Sequence, residues 1–270
     1  MKSIFYFMNS PVVLSIAGSD NSGGAGIQAD LKTFCAFRCY GTTAITCIVA
    51  EHPGRVKSIE PVTPLQVQEQ IELVAEAFPV NAFKTGMLYS QEIIQIVVES
   101  IETHLKGIPF VLDPVMVASS GVALLHPQAI EGIQKFLIPQ ATLVTPNRDE
   151  AALLWGKPII DLNSMREAGL DLTNRYQVPF LMKGGHLKSD QAIDLLFTQE
   201  GEESFVVPRI PNVDPHGTGC TYSAAITCGL AQGLKLNEAI REAKGYITQA
   251  IESHFESRGY QVLNHFKPKF

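Results

Sequence analysis

Short, continuous apolar segments alternate along this chain with longer amphipathic segments, and this alternation restricts the possible folds more than any other feature. The apolar segments are residues 12–17, 43–49, 82–85, 110–112, 142–144 and 180–183. Continuous hydrophobicity is typical of parallel strands that are buried on both faces. Helical periodicity fills the intervals at residues 26–37, 64–78, 91–105, 127–137 and 164–176. This order predicts a mostly parallel central sheet with helices on both faces.

The pattern changes after residue 183. Residues 192–198 and 204–208 predict a hairpin around Gln199-Glu200-Gly201, and two helices follow, at 218 to about 233 and 237 to about 255. Neither a linker nor an internal repeat interrupts the sequence. We therefore expect a single domain over residues 1–270. Ligands of such sheets bind at the carboxyl ends of the strands, where most of the unusual motifs of this chain lie.

Composition excludes several classes of protein. With 46% hydrophobic and 18% charged residues, the chain is able to bury a large core. The net charge of -6 and the absence of a long basic run argue against nucleic-acid binding. No apolar run reaches the roughly 18 residues of a membrane span. The cysteine count of 5 is odd and no pair has CxxC spacing, so a cytoplasmic protein without disulfides or a zinc site is expected.

The segment His216-Gly217-Thr218-Gly219-Cys220 precedes a strongly helical stretch. A helix start presents unpaired N–H groups and the positive end of the helix dipole, and glycines let a phosphate approach this backbone. The same field is expected to lower the pKa of Cys220 from about 8.5. On spacing alone, a glycine-rich loop that only closes the helix start accounts for the segment equally well.

The longer motif HGTGCTYSAAI resembles the ATP anion hole of the ribokinase-like superfamily, and AGSDNSGGAGIQADLKTF resembles the opening of hydroxymethylpyrimidine/phosphomethylpyrimidine kinases of thiamine biosynthesis. The resemblance continues in order through KTGML, VLDPVM, TPNRDEA, LMKGGH and VLNHF, over nearly the whole chain. It implies a ribokinase-like three-layer α/β/α fold and ATP-dependent phosphorylation of a small hydroxymethylpyrimidine and its monophosphate. Magnesium as cofactor and a homodimer are also implied.

The resemblance also assigns residues to roles. Catalysis falls to Cys220 as general base, with the backbone of Gly217, Thr218 and Gly219 as the anion hole. Nucleotide binding falls to Asn147, Lys183, Thr218 and Gly219, and magnesium binding to Asp113 and Glu150. The pyrimidine pocket is formed by Gly18, Asp30, Glu51, Met87 and Val115.

Each assignment competes with a structural interpretation. Cys220 fits a buried structural thiol. Asp113 fits a turn before proline, and Glu150 and Asn147 fit the cap of a helix. Lys183 fits an exposed lysine before a turn. The remaining alternatives are core packing for Met87 and Val115, a surface carboxylate for Asp30, and a loop packed on the helix for His216.

Two positions depart from the family pattern. Glu51 stands where the family usually has glutamine, and a carboxylate only accepts hydrogen bonds unless it is protonated. Asp214-Pro215 stands where asparagine and threonine are more frequent, and Pro215 lacks a backbone donor. Three alternatives to the pyrimidine kinase therefore stay open: a pyridoxal kinase, a sugar kinase, which usually has aspartate in place of Cys220, and a non-catalytic vitamin-binding protein.

Overall fold

A computed structural model describes residues 10–116, 127–185, 190–213 and 216–266 of the chain. Its main strands are β1 (Val12–Asp20), β2 (Tyr40–His52), β3 (Arg55–Pro61), β4 (Val80–Thr85), β5 (Phe110–Leu112), β6 (Leu143–Val144), β7 (Phe180–Lys183), β8 (Gln191–Thr198) and β9 (Gly201–Pro208). They form one nine-stranded sheet in the order β3-β2-β1-β4-β5-β6-β7-β8-β9. Two short strands, β10 (Phe255–Ser257) and β11 (Tyr260–Val262), pair separately.

The centre of the sheet is parallel from β2 to β7, and the antiparallel strands lie at its two edges. At one edge β3 returns along β2, and at the other β8 and β9 form the expected hairpin beside β7. The predicted mostly parallel sheet is confirmed.

Helices cover both faces of this sheet. They are α1 (Gly26–Ala36), α2 (Pro64–Ala77), α3 (Gln91–His104), α4 (Pro127–Gly132), α5 (Arg148–Trp155), α6 (Leu162–Tyr176), α7 (Thr218–Ala231) and α8 (Leu236–Glu252). One hydrophobic core joins the sheet to α2 through α6, and a second joins it to α1, α7 and α8. Among the described residues, no helix combines the length and the hydrophobicity that crossing a bilayer requires.

Strand side chains alternate between the two cores, which explains the continuous apolar runs. In β5, Leu112 belongs to the first core and Val111 to the second, and in β1 the same holds for Leu14 and Val13. Successive side chains of a strand point to opposite faces, so a strand with helices on both sides needs apolar residues at every position. The parallel strands end at one edge, where polar residues take over.

Several predicted boundaries are wrong for identifiable reasons. The expected helix at 127–137 is α-helical only to Gly132. A π-helical turn (Ile133–Leu137) and a 3-10 turn (Ile138–Gln140) follow it. The helical segment ends around Pro139, which has no N–H to donate. The last helix ends at Glu252 rather than near residue 255, because Phe255–Ser257 pairs with Tyr260–Val262. Strand β3 was not predicted, and α5 was expected only as the helix that Asn147 and Glu150 would cap.

Two helical glycines provide a test of this packing. A Cβ atom on Gly169 of α6 would lie 2.2 Å from the Phe197 ring, whereas one on Gly245 of α8 would meet nothing within 4 Å. We expect Gly169→Ala to destabilise the protein by about 1–3 kcal/mol through overpacking. The matched Gly245→Ala should stabilise it by up to about 1 kcal/mol through helix propensity. Urea denaturation measures both, and a stabilising Gly169→Ala would contradict the described packing of α6 on β8.

Candidate active site

The start of α7 lies against the N-terminal glycine-rich turn. Gly217 precedes the helix with a φ of 88°, and a Cβ atom there would lie 1.7 Å from the Gly24 carbonyl oxygen, so no other residue fits. The first intrahelical hydrogen bond is donated by the Thr221 N–H to Gly217. The N–H groups of residues 218–220 therefore point out of the helix start, where an anion is stabilised.

Asp113 is the polar centre beside this helix start. It is 2% exposed at the end of β5. Its Oδ1 atom accepts from Lys183 Nζ at 3.1 Å and from Thr145 Oγ1 at 3.4 Å, and its Oδ2 atom accepts from Ser223 Oγ at 3.0 Å. Burial opposes ionisation, but the nearby ammonium groups of Lys183 and Lys84 outweigh it and lower the pKa of Asp113. The Asp113 carboxylate is therefore ionised, and each of its oxygen atoms accepts at least one hydrogen bond.

Lys183 extends from the end of β7 to the helix start. A Cβ atom on Gly219 would be 3.3 Å from its Nζ atom, so the ammonium lies beside the outward-pointing N–H groups. Burial lowers the pKa of Lys183, but Asp113 and Glu150 outweigh this and raise it. The side chain is largely buried rather than the exposed lysine of the alternative interpretation. An ammonium and a helix start thus converge on one point.

Glu150 and Asn147 form a helix cap in this structure. The Asn147 side chain accepts from the N–H groups of Asp149 and Glu150, and Glu150 Oε2 accepts from the Asn147 N–H at 2.8 Å. The capping alternative is therefore confirmed as a description of these contacts. Glu150 is also 3% exposed, and burial together with the charge of Asp113 raises its pKa to about 8. A positive charge near Glu150 would favour its ionised form.

Cys220 lies in the first turn of α7 and is partly exposed. Its pKa is raised to about 12 because burial and the carboxylates of Asp113 and Asp30 disfavour the thiolate, although Lys84 and a hydrogen bond from the Gly26 N–H favour it. The expected lowering of the thiol pKa is thus wrong. The dipole of one helix start does not outweigh burial beside two carboxylates.

A small apolar cluster lies at the tips of β1, β2 and β4. It contains Cys47, Val49 and Met87, with Val115 packed against it. Gly18 borders the cluster, since a Cβ atom there would lie 2.8 Å from Cys47 Sγ and 3.8 Å from the Met87 Cβ atom. Three of the five residues assigned to the pyrimidine pocket therefore lie together. Glycine at position 18 lets the β1 backbone pack against the Cys47 side chain of β2.

Glu51 adjoins this cluster together with Asp20 and His216. One carboxylate oxygen or ring nitrogen atom from each of the three residues lies within 4.8 Å of those of the other two. His216 Nε2 is 3.2 Å from Asp20 Oδ2, and Asp20 also accepts from the Ser22 and Ala25 N–H groups. Burial, with the charge of Asp20, raises the pKa of Glu51. His216 thus joins the start of α7 to the N-terminal turn, a contact that the sequence did not predict.

Asp30 is bonded to two protein donors. It is completely buried, accepts from Lys84 Nζ at 2.8 Å and from Ser15 Oγ at 2.6 Å, and is not the surface carboxylate of the alternative interpretation. Both of its oxygen atoms are occupied by protein donors. Its place in the pyrimidine pocket stays a prediction.

Several site residues were not identified from the sequence. Asp20, Lys84 and Ser223 all lie inside motifs quoted above, but their partners are distant in the chain and no spacing rule connects them. His265 of the VLNHF motif shares a 2.9 Å hydrogen bond with Thr221 in the second turn of α7. Asp214, Pro215 and the histidine of the LMKGGH motif, His186, lie outside the described residues.

Comparison with known proteins places these residues in a family. The sequence model described as phosphomethylpyrimidine kinase matches residues 20–264. The hydroxymethylpyrimidine/phosphomethylpyrimidine kinase of Rhizobium meliloti is 43% identical over 90% of this chain and 91% of that protein. The thiamine biosynthesis bifunctional protein ThiED of Geobacter sulfurreducens is 43% identical over 94% of this chain, which spans 52% of the length of ThiED.

Solved structures show the same fold. An ADP complex of Bacillus subtilis pyridoxal kinase superposes with a TM-score of 0.87 at 35% identity, covering 95% of this chain and 98% of that one. The phosphomethylpyrimidine kinase of Clostridium difficile superposes with a TM-score of 0.79 at 40% identity, covering 90% of this chain and 100% of that one. The ribokinase-like fold implied by the sequence motifs is confirmed.

Proposed function

The chain belongs to the phosphomethylpyrimidine kinase family, and we propose that it transfers the terminal phosphoryl group of ATP to 4-amino-5-hydroxymethyl-2-methylpyrimidine and then to its monophosphate, in thiamine biosynthesis. The observation that carries this proposal is the position of the α7 start. Its outward N–H groups and the Lys183 ammonium converge beside Cys220. Positioning and charge neutralisation supply most of the catalysis of phosphoryl transfer, so this site suits that reaction.

Each group of site residues has its own role in the proposed reaction. The N–H groups of residues 218–220 and the ammonium of Lys183 bind the transferred phosphoryl group. The apolar cluster around Met87 holds the pyrimidine ring, and Glu51 bonds to its polar edge. Cys220 lies at the helix start, where it faces the hydroxymethyl oxygen and accepts its proton. Asp30, bonded to Lys84 and Ser15, completes the residues assigned to the pyrimidine pocket.

The buried carboxyl groups suit magnesium. Asp113 follows β5 and Glu150 lies in the helix after the adjacent β6, and both offer hard oxygen ligands. Burial, and after it the charge of Asp113, raises the pKa of Glu150, and a cation would oppose both effects. Bound there, the ion would neutralise charge on the triphosphate. Asn147 fixes the Glu150 carboxyl group through the cap contacts, so its contribution to nucleotide binding is indirect.

A pyridoxal kinase is the second candidate, and the structural likeness to the Bacillus subtilis enzyme favours it. The pyrimidine is the better proposal because that pyridoxal kinase is 35% identical, whereas the Rhizobium meliloti pyrimidine kinase is 43% identical. Two further parts of the proposal, a homodimer and a cytoplasmic location, rest on the family resemblance and on the cysteine usage.

Removing the Cys220 thiol tests the reaction. We expect Cys220→Ala to keep ATP binding and to lose about 10²–10⁴-fold in kcat, the usual effect of removing a general base. The assay measures ADP release from Mg-ATP with the pyrimidine, pyridoxal or ribose as the phosphoryl acceptor. The control variant is Cys35→Ala, which changes an exposed cysteine. If Cys220→Ala turned over as fast as the wild type, Cys220 would not be the general base. If the wild-type protein preferred pyridoxal, the proposal of a pyrimidine substrate would be wrong.

Magnesium dependence tests the two carboxyl groups. Asp113→Asn and Glu150→Gln each remove one anionic ligand, and we expect the magnesium concentration for half-maximal activity at fixed ATP to rise at least about 10-fold. The matched control is Asp149→Asn, which changes an exposed carboxylate in the same turn of α5. An unchanged magnesium requirement in both variants would leave Glu150 with its capping role alone.

The pH dependence of KM tests Glu51. Burial and the charge of Asp20 raise its pKa, which favours the protonated form of Glu51, and in that form it can donate to the ring nitrogen while accepting from the amino group. As pH rises and this proton is lost, we expect the KM for the pyrimidine to rise. In Glu51→Gln the dependence should flatten with kcat little changed. Glu60→Gln, on the exposed face of β3, is the control, and identical profiles for wild type and Glu51→Gln would remove Glu51 from the pocket.

A further inference from the structure

Lys183 has a second buried carboxylate opposite it in the sheet. Strands β7 and β8 are antiparallel, and Lys183 pairs in register with Asp194, which is 3% exposed. Residues directly opposite each other in an antiparallel pair have Cβ atoms about 4.5–5.5 Å apart, close enough for opposite charges to interact. The Lys183 side chain is therefore able to reach either Asp194 or its observed partner, Asp113.

Both side chains lie on the face of the sheet that α7 and α8 cover. Leu181 and Leu196 also pair across β7 and β8, and both belong to the core that joins the sheet to these helices. Lys183 and Asp194 lie two residues further along their strands, and a strand repeats its facing every two residues. The competing carboxylate is thus on the same face as the start of α7.

The observed contacts keep the two carboxylates apart in their partners. Lys183 Nζ donates to Asp113 Oδ1 at 3.1 Å. Asp194 Oδ2 instead accepts from Nζ of Lys244 in α8 at 2.5 Å, and its Oδ1 atom accepts from the Gly184 N–H at 3.0 Å. Both oxygen atoms of Asp194 are therefore bonded to donors other than Lys183.

Lys244 is enclosed by the elements around this carboxylate. Its side chain is 10% exposed, and its Nζ atom lies 5.9 Å from the centre of the Tyr222 ring in α7. Removing one partner of a buried ion pair leaves an uncompensated charge, which is strongly unfavourable. Without Lys244, the cation placed directly opposite Asp194 is Lys183.

The remaining donors decide which carboxylate would hold Lys183 in that case. If the Lys183 ammonium left Asp113, two hydroxyl donors would still bond to that carboxylate. If Lys244 were removed, Asp194 would keep one backbone N–H, that of Gly184. The uncompensated charge would be greater at Asp194, so Lys183 would move toward it and away from the start of α7.

We propose that Lys244 is a positioning residue for the proposed phosphoryl transfer: its ion pair with Asp194 prevents Lys183 from pairing across the strands and leaves the Lys183 ammonium beside the start of α7. This inference rests on the proposed function. The group that binds the phosphoryl oxygens is Lys183, and Lys244 acts through it.

A crystal structure of Lys244→Met without substrates tests the competition directly. We expect Lys183 Nζ within about 3.2 Å of an Asp194 oxygen and more than about 4 Å from Asp113. In Lys244→Met/Asp194→Asn, the asparagine oxygen still accepts from the Gly184 N–H but carries no charge, so Lys183 should return to Asp113. A Lys183 side chain that stays on Asp113 in Lys244→Met would overturn the proposal.

Should Lys244→Met not fold, Lys244→Gln replaces it. Glutamine still donates a hydrogen bond to Asp194 but leaves the charge of that carboxylate uncompensated, and the same displacement of Lys183 is expected. Lys183 bonded to Asp113 in a folded Lys244→Gln would overturn the proposal in the same way.

Kinetics distinguish positioning from support of the fold. In folded protein, Lys244→Met should lower kcat/KM for Mg-ATP about 10-fold, the effect of one lost hydrogen bond to a charged group. Adding Asp194→Asn should restore it to within about 3-fold of the wild type. Arg241→Gln, which breaks an exposed ion pair between α8 and β9, is the matched control and should change little.

The same substitution in Lys183→Met completes the test. Lys244→Met should cause no further loss there, because the group that it acts on is gone. An equal loss in that background, or no recovery with Asp194→Asn, would show that the pair only supports the fold. A wild-type protein that does not phosphorylate the pyrimidine would refute the proposed function, and the position of Lys183 in the Lys244→Met crystal would still decide the competition.

Discussion

Asp113 ends β5 as a buried carboxylate, and the side chains that bind it come from three other parts of the chain: Lys183 at the end of β7, Ser223 in α7 and Thr145 after β6. A buried charge that loses its partner costs about 3–5 kcal/mol, so these contacts hold the strand ends and the helix in one arrangement. The start of α7 is thereby fixed over the carboxyl edge of the sheet. Its anion-binding geometry depends on this one carboxylate.

The burial that fixes the site also disfavours loss of the proton from the Cys220 thiol. A thiol that is buried beside Asp113 and Asp30 holds its proton, and the helix start alone does not reverse this effect. Lys84 of β4 and the Gly26 N–H at the start of α1 act in the opposite direction. The N-terminal glycine-rich turn packs against Gly217 to close the site, and the helix that follows it supplies the Gly26 N–H, which favours the thiolate.

The sequence predicted the fold well where burial alone decides the structure. The bounds of β5 and β7 were predicted correctly, because both strands are apolar runs between helices. Strand β3 was missed because its polar residues face solvent at the sheet edge, and the bounds of α5 were not predicted because only its cap residues, Asn147 and Glu150, were identified. Lys84 was missed because its partner Asp30 is 54 residues away, and no local pattern reveals such a pair.

The central claim is that the start of α7 binds the transferred phosphoryl group while Cys220 faces the accepting alcohol. A crystal structure with magnesium, a non-hydrolysable ATP analogue and the hydroxymethylpyrimidine tests it most directly. The account predicts terminal phosphate oxygens within about 3.2 Å of the Gly219 and Cys220 nitrogen atoms, and the alcohol oxygen within about 3.5 Å of the Cys220 sulfur. A terminal phosphate bound away from α7, or an alcohol turned away from Cys220, would contradict it.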